Sequence, residues 1–179
     1  FKMENVIVFG AGLSGLGAKE LLEKKGFNVF LVDDKTGISS NDGIKIINEK
    51  KIEFIIKSPG IPWEVELLKT AKEKKIKVMS EIDLAYRYLD KKIKIISITG
   101  TNGKTTTATK IYELLDKAGF KTALAGNAGF SFAKLVADEK DLEYVVLELS
   151  SYQLENNPEV HSYIAGIINL TPDHLTRYE

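Results

Sequence analysis

Twice in this sequence a short apolar run ends in a glycine-rich loop that opens an amphipathic helix. The first run is Val6-Ile7-Val8-Phe9, followed by Gly10-Ala11-Gly12-Leu13-Ser14-Gly15 and a helix over 14–25. The second covers 93–98, followed by a loop holding Gly100 and Gly103 and a helix over 104–118. Unbroken apolar runs belong to strands buried on both faces, and strands alternating with helices build a parallel sheet. Further strands are expected at 28–32, 54–56, 77–79, 122–125, 144–149 and 164–170, with helices at 43–50, 63–74 and 82–89. The restart of the pattern after Asp90-Lys91-Lys92 predicts two α/β domains. Residues 1–90 read as a Rossmann-like parallel-sheet domain, and residues 92–179 as the first part of a P-loop-type domain. A doubly wound nucleotide domain usually has more strands than the second half supplies, so the chain reads as truncated.

Composition narrows the chemistry. The 25 Lys and Arg balance 25 Asp and Glu, which argues against a nucleic-acid binder or a polybasic membrane-surface protein. Cysteine is absent, so disulfides, thiolate metal sites and a cysteine nucleophile are excluded. Two histidines, His161 and His174, are too few for a poly-histidine metal site. No apolar run approaches the roughly 18–20 residues of a membrane span, and the expectation is a cytoplasmic protein without membrane insertion.

Four motifs follow strand ends. Gly10-Ala11-Gly12-Leu13-Ser14-Gly15 fits G-x-G-x-x-G, and Asp33 lies 23 residues after Gly10, where an acid can bind a ribose hydroxyl. The motif alone does not separate a dinucleotide from a uridine nucleotide, and its glycines can serve strand–helix packing only. Thr99-Gly100-Thr101-Asn102-Gly103-Lys104-Thr105-Thr106-Thr107 carries a Gly-Lys-Thr core, although Ile98 stands where the usual phosphate loop has its first glycine. There the backbone can surround phosphate oxygens, Lys104 supplies a charge and the Thr105 hydroxyl can ligate Mg²⁺. Glu148 ends the apolar strand Val145-Val146-Leu147, where a carboxylate should face a cation, for which magnesium is suited, or water. Asn169-Leu170-Thr171-Pro172-Asp173-His174 is the fourth motif, and Asn127, between Gly126 and Ala128, also follows a strand. Strand C-termini of an open parallel sheet line one crevice, so the Thr99 loop, Asn127, Glu148 and His174 are expected to converge.

With these residues in view, the sequence resembles the Mur ligase family over its whole length, most closely the D-glutamate-adding branch. The resemblance rests on Thr-Gly-Thr-Asn-Gly-Lys-Thr-Thr at 99–106, Leu-Glu-Leu-Ser-Ser-Tyr-Gln-Leu-Glu at 147–155, Asn-Leu-Thr-Pro-Asp-His-Leu at 169–175 and Ser-Pro-Gly-Ile-Pro at 58–62. It implies an ATP- and Mg²⁺-dependent ligase joining UDP-N-acetylmuramoyl-L-alanine to D-glutamate through an acyl phosphate. It implies further that Gly100, Thr101, Asn102, Gly103, Lys104, Thr105, Thr106 and Thr107 bind ATP, and that Thr105, Glu148 and His174 hold magnesium. Lys104, Glu148 and His174 would be the catalytic set. Leu13, Ser14, Asp33, Asp34, Lys35 and Asn127 would bind the uridine substrate. A carbamylated lysine would lie beyond Glu179, a C-terminal domain would be missing, the protein would act as a monomer, and these 179 residues alone would show no turnover. Two other readings stand beside it: an NAD-binding oxidoreductase or sensor using Gly10 to Gly15, and a non-catalytic nucleotide-binding module.

Overall fold

The computed structural model describes residues 3–155 and 159–172. The chain runs β1 (Asn5–Phe9), α1 (Leu13–Lys24), β2 (Asn28–Val32), α2 (Ser40–Glu49), β3 (Phe54–Lys57), α3 (Glu66–Glu73), β4 (Lys77–Ser80) and α4 (Glu81–Tyr88). It continues with β5 (Lys94–Thr99), α5 (Lys104–Lys117), β6 (Thr122–Gly126), α6 (Phe132–Ala137), β7 (Tyr144–Glu148), α7 (Ser151–Leu154) and β8 (Ile164–Ile167). Two compact units result. One holds the chain up to Tyr88 together with Ser131–Glu139, and the other holds Leu89–Phe130 and the chain from Lys140 onward.

In the first unit the sheet order is β2-β1-β3-β4, all parallel, with Phe9 opposite both Val32 and Lys57 at the C-terminal ends. Alternation divides its apolar residues between two faces. Ile7, Phe9, Val32 and Ile55 pack with Ile47, Leu67, Leu68 and Ala71 of α2 and α3. Val6, Val8 and Ile56 are equally buried, as are Ala18, Leu21 and Leu22 of α1 and Ile82 and Ala85 of α4. The chain leaves β1 toward β2 and returns to β3 on the other side, which opens a crevice at the C-terminal ends of β1 and β3.

In the second unit the order is β6-β7-β5-β8, again parallel throughout. Ile96, Ile98 and Val146 form its core with Ala108 of α5, and Ile111, Tyr112 and Leu115 pack against them. That helical face is the one the i, i+3, i+4, i+7 pattern predicts, except that Ala118 is the exposed C-cap residue.

The boundary expected at 90–92 falls between Tyr88 and Leu89, and one segment changes unit. Ser131–Glu139, between β6 and β7 in sequence, belongs to the first unit. There α6 packs on α1 and α4. The fit with α1 is close: a Cβ on Gly17 would lie 2.0 Å from Ser131 Oγ. Lys24 Nζ donates to the Ala137 carbonyl at 2.9 Å, covering the C-terminal end of α6. Glu81, 2% exposed, covers the N-terminal end, accepting hydrogen bonds from Ser131 Oγ and the Ala133 N–H. Among the described residues no helix is long and apolar enough to cross a membrane.

Candidate functional site

Each unit places a glycine loop at the C-terminal edge of its own sheet.

In the first unit the loop joins β1 to α1. The helix comes very close to the strand end, since a Cβ on Gly15 would fall 1.8 Å from the Gly10 carbonyl oxygen. Gly12, the N-cap residue, faces open space instead. The first turn of α1 has no side-chain cap, so its N–H groups are left for an anion. Leu13 is 81% exposed there, with Ser14 beside it partly buried. Across the paired ends of β1 and β2, Asp33 Oδ2 accepts the Ala11 N–H at 2.9 Å. Asp33 Oδ1 accepts from the Lys35 and Thr36 N–H groups and from the Thr36 hydroxyl. These bonds, the Ala11 one foremost, hold the Asp33 carboxyl below the usual carboxylate range. Asp34 is lowered by the Ser40 N–H and then the Ser40 hydroxyl. Asp33 therefore ties the glycine loop to the turn after β2, a structural duty that sequence reading did not give it. Leu13, Ser14, Asp33, Asp34 and Lys35 share this edge, whereas Asn127 belongs to the second unit.

In the second unit the loop joins β5 to α5. Gly103 caps the helix at φ 81°, in the left-handed region that favours glycine. Lys104 begins α5, and its Nζ donates to the Thr101 carbonyl at 2.8 Å. Thr105 and Thr106 follow, exposed, in the first turn, with Thr107 partly buried. Next to β5 lies β7, where Ile98 pairs with Glu148. Glu148 is completely buried. Its Oε1 accepts Asn127 Nδ2 at 3.0 Å, and its main-chain oxygen accepts the Asn127 N–H at 2.9 Å. Its Oε2 is buried with no hydrogen-bond partner. Such an oxygen costs roughly 1–3 kcal/mol, and more when charged, unless something fills the position. A cavity of about 420 Å³ opens here, lined by Gly100, Lys104, Asn127, Ser150 and Tyr152 among others.

The donor set suits magnesium. This ion prefers oxygen ligands and is commonly held by one or two carboxylates together with substrate phosphates. Glu148 supplies the carboxylate, with its second oxygen unspent, and Thr105 a hydroxyl. Among the described residues no three His, Cys, Asp or Glu side chains gather into a complete metal cage. His174 and Asp173 lie outside the described residues.

Thr101 and Asn102 behave differently from the rest of their loop. The Thr101 N–H donates to the Asn169 carbonyl at 3.2 Å, and the Asn102 N–H to Asn169 Oδ1 at 2.9 Å. Neither N–H points to the cavity for a phosphate. The donors left for an anion are those at the start of α5 and the Lys104 ammonium.

Residues 98–179 match the Mur ligase middle domain. Among relatives, the UDP-N-acetylmuramoylalanine–D-glutamate ligase of Fusobacterium nucleatum is 46% identical over 180 residues, covering 99% of this chain and 41% of the relative. The enzyme of the same name from Bacteroides fragilis is 42% identical over 192 residues, covering 99% of this chain and 42% of the relative. The chain thus spans about two fifths of the length of the curated relatives it matches. Among solved structures, the fold is similar to the UDP-N-acetylmuramate:L-alanyl-γ-D-glutamyl-meso-diaminopimelate ligase of Neisseria meningitides, with TM-score 0.61, 16% identity, and coverage of 97% of this chain and 63% of that one. It is also similar to the UDP-N-acetylmuramate–alanine ligase of Thermotoga maritima, with TM-score 0.55, 18% identity, and coverage of 99% and 44%. With a glycine-loop unit at each half, the chain is similar to the Mur ligase middle domain over residues 98–179 and to relatives of one name along nearly all its residues.

Proposed function

We propose that this chain supplies the uridine-substrate unit and the first part of the ATP unit of a ligase that adds D-glutamate to UDP-N-acetylmuramoyl-L-alanine. The observation that carries the reading is Glu148 Oε2, a buried carboxylate oxygen left without a partner, whose neighbour Asn127 lines the same cavity as Lys104. A pure dinucleotide-binding protein has no use for that pairing, because hydride transfer builds no charge on a phosphoryl group. The reading carries with it a cytoplasmic location and a monomeric state.

The chemistry suits the residues. A carboxylate is a poor electrophile at neutral pH. Transfer of the γ-phosphoryl of ATP to a carboxylate oxygen of the muramoyl-alanine gives an acyl phosphate and ADP. The amine of D-glutamate then attacks the acyl carbon, the amide C–N bond forms, and inorganic phosphate leaves with the C–O electron pair. The amine proton passes to solvent or base. No side-chain nucleophile is needed.

Lys104 exchanges the Thr101 carbonyl for phosphate oxygens and offsets charge on the transferred group. Glu148 and Thr105 are the magnesium ligands, and His174, outside the described residues, is a third on this reading. When bound, magnesium neutralises phosphoryl charge and holds the phosphates in one orientation. Asn127 fixes the Glu148 carboxylate through Oε1 and leaves Oε2 for the metal. In the first unit the N-terminus of α1 receives the diphosphate, with Leu13, Ser14 and the turn from Asp33 to Lys35 around the uridine.

Calorimetric titration of the chain with ATP, with and without Mg²⁺, tests the reading. Lys104→Met is expected to weaken MgATP by about tenfold or more. Glu148→Gln keeps the bond to Asn127 and is expected to bind ATP with an affinity that no longer responds to Mg²⁺. Unchanged magnesium dependence in Glu148→Gln contradicts the metal role.

A further inference from the structure

Asn169 itself has no place in the chemistry above, yet its carboxamide makes a closed pair with the glycine loop. Asn169 Oδ1 accepts the Asn102 N–H at 2.9 Å, and Asn169 Nδ2 donates to the Asn102 carbonyl at 2.7 Å. The side chain offers one donor and one acceptor side by side, as a peptide group does. It adds a side-chain pair just past the β5–β8 ladder, whose last register pair is Thr99 opposite Ile167. Neighbouring bonds complete the seam. The Ile168 N–H donates to the Thr99 carbonyl at 3.0 Å, and the Thr101 N–H to the Asn169 carbonyl at 3.2 Å. The Thr101 hydroxyl donates to the Thr171 carbonyl at 3.0 Å and accepts the Thr171 N–H at 2.9 Å.

The chemistry of the pair is selective. Aspartate keeps the acceptor and loses the donor, leucine keeps neither, and alanine removes the reach as well. What the pair fixes are the two peptide units flanking Asn102, the second of which leads into Gly103. That orientation delivers the chain to Gly103 in its left-handed conformation and starts α5 with its first N–H groups facing outward.

We infer that Asn169 is a positioning residue for the phosphate site: by holding both polar groups of the Asn102 backbone it sets the loop in its anion-receiving shape. This rests on the nucleotide reading of the second unit. It assigns the work of phosphate contact to the start of α5 and Lys104, and it gives Thr101 and Asn102 the task of holding the loop against the segment after β8.

The experiment compares the wild-type chain with Asn169→Ala and Asn169→Leu. MgATP affinity is measured by calorimetry and amide hydrogen exchange residue by residue. The inference expects wild type to bind MgATP and both variants to bind it about tenfold more weakly, as loss of two hydrogen bonds implies. It expects the Asn102 amide to exchange faster in both, while amides of β5 and β7 keep their protection. Equal MgATP affinity in wild type and both variants overturns the inference and leaves the nucleotide reading standing. Loss of β5 protection in both variants overturns it too, because the residue then maintains the unit as a whole. Absence of MgATP binding by the wild type overturns the nucleotide reading, and the inference with it.

Discussion

Gly12 and Gly15 sit three residues apart in one loop and answer to opposite constraints. A methyl group on Gly15 has no room, being 1.8 Å from the Gly10 oxygen, whereas one on Gly12 meets nothing. Gly12 also has φ −73°, which alanine adopts freely. Gly15→Ala is therefore expected to destabilise the first unit by about 3 kcal/mol or more in urea unfolding. Gly12→Ala is expected to leave stability unchanged or to raise it by about 0.4–1 kcal/mol. In calorimetry it should nevertheless weaken a uridine diphosphate ligand by about tenfold, by blocking close approach of the phosphates. A loop whose glycines serve packing alone would show no such binding loss. The difference between the two positions is invisible in the motif G-x-G-x-x-G, since both are glycine and only the distance to Gly10 separates them. Asp33 shows the same limit. Its spacing from Gly10 suggested a ribose contact, but the sequence does not reveal that both its oxygens hold backbone N–H groups.

At the scale of elements, the long amphipathic stretches were legible and the short ones were not. The apolar periodicity of α5 located both the helix and its buried face. For α2, Ser39 accepts the Asp42 N–H and starts the helix at Ser40 rather than 43. The six residues of α6 are too few to display a helical period, so no helix was expected at Phe132–Ala137. The strand expected over 164–170 stops at Ile167, because the residues after it turn to bond the glycine loop.

The docking of α6 is expected to depend on pH through Glu81. Burial drives its carboxyl up to about 7, against the lowering effect of the hydrogen bonds from Ala133, Ser131 and Phe132. A raised carboxyl pKa means that the folded chain holds a proton which the unfolded chain releases between about 4.5 and 7. The stability it contributes is thus complete below the unfolded value and is lost as pH rises through the folded one. The shift corresponds to about 3 kcal/mol. Glu81→Gln keeps the acceptor oxygen without the charge. It is expected to be more stable than wild type at pH 8 and to approach wild type at pH 4.5 in urea unfolding. An identical pH profile for the two proteins would show that Glu81 does not titrate with folding.

For the whole molecule, the restart of strand, glycine loop and helix announced two parallel sheets, and two are present. The return of Ser131–Glu139 to the first unit was not legible, because a local sequence window carries no record of which sheet a helix will cover. Its anchors, Glu81 and Gly17, lie 50 residues or more away from it in the chain. On the proposed function, the two units are expected to respond separately to their ligands. UDP-N-acetylmuramoyl-L-alanine should slow amide exchange around Gly10 to Gly15, and MgATP around Gly103 to Thr106. The same protection pattern with either ligand would contradict two independent sites.

The measurement that bears most directly on the account is a calorimetric titration of the chain with UDP-N-acetylmuramoyl-L-alanine, with NADH titrated in parallel. The account predicts saturable heat with the uridine ligand, weakened by Gly12→Ala and by Asp33→Ala, and none with NADH. Saturable binding of NADH with no response to the uridine ligand would contradict it and make the first glycine loop a dinucleotide site.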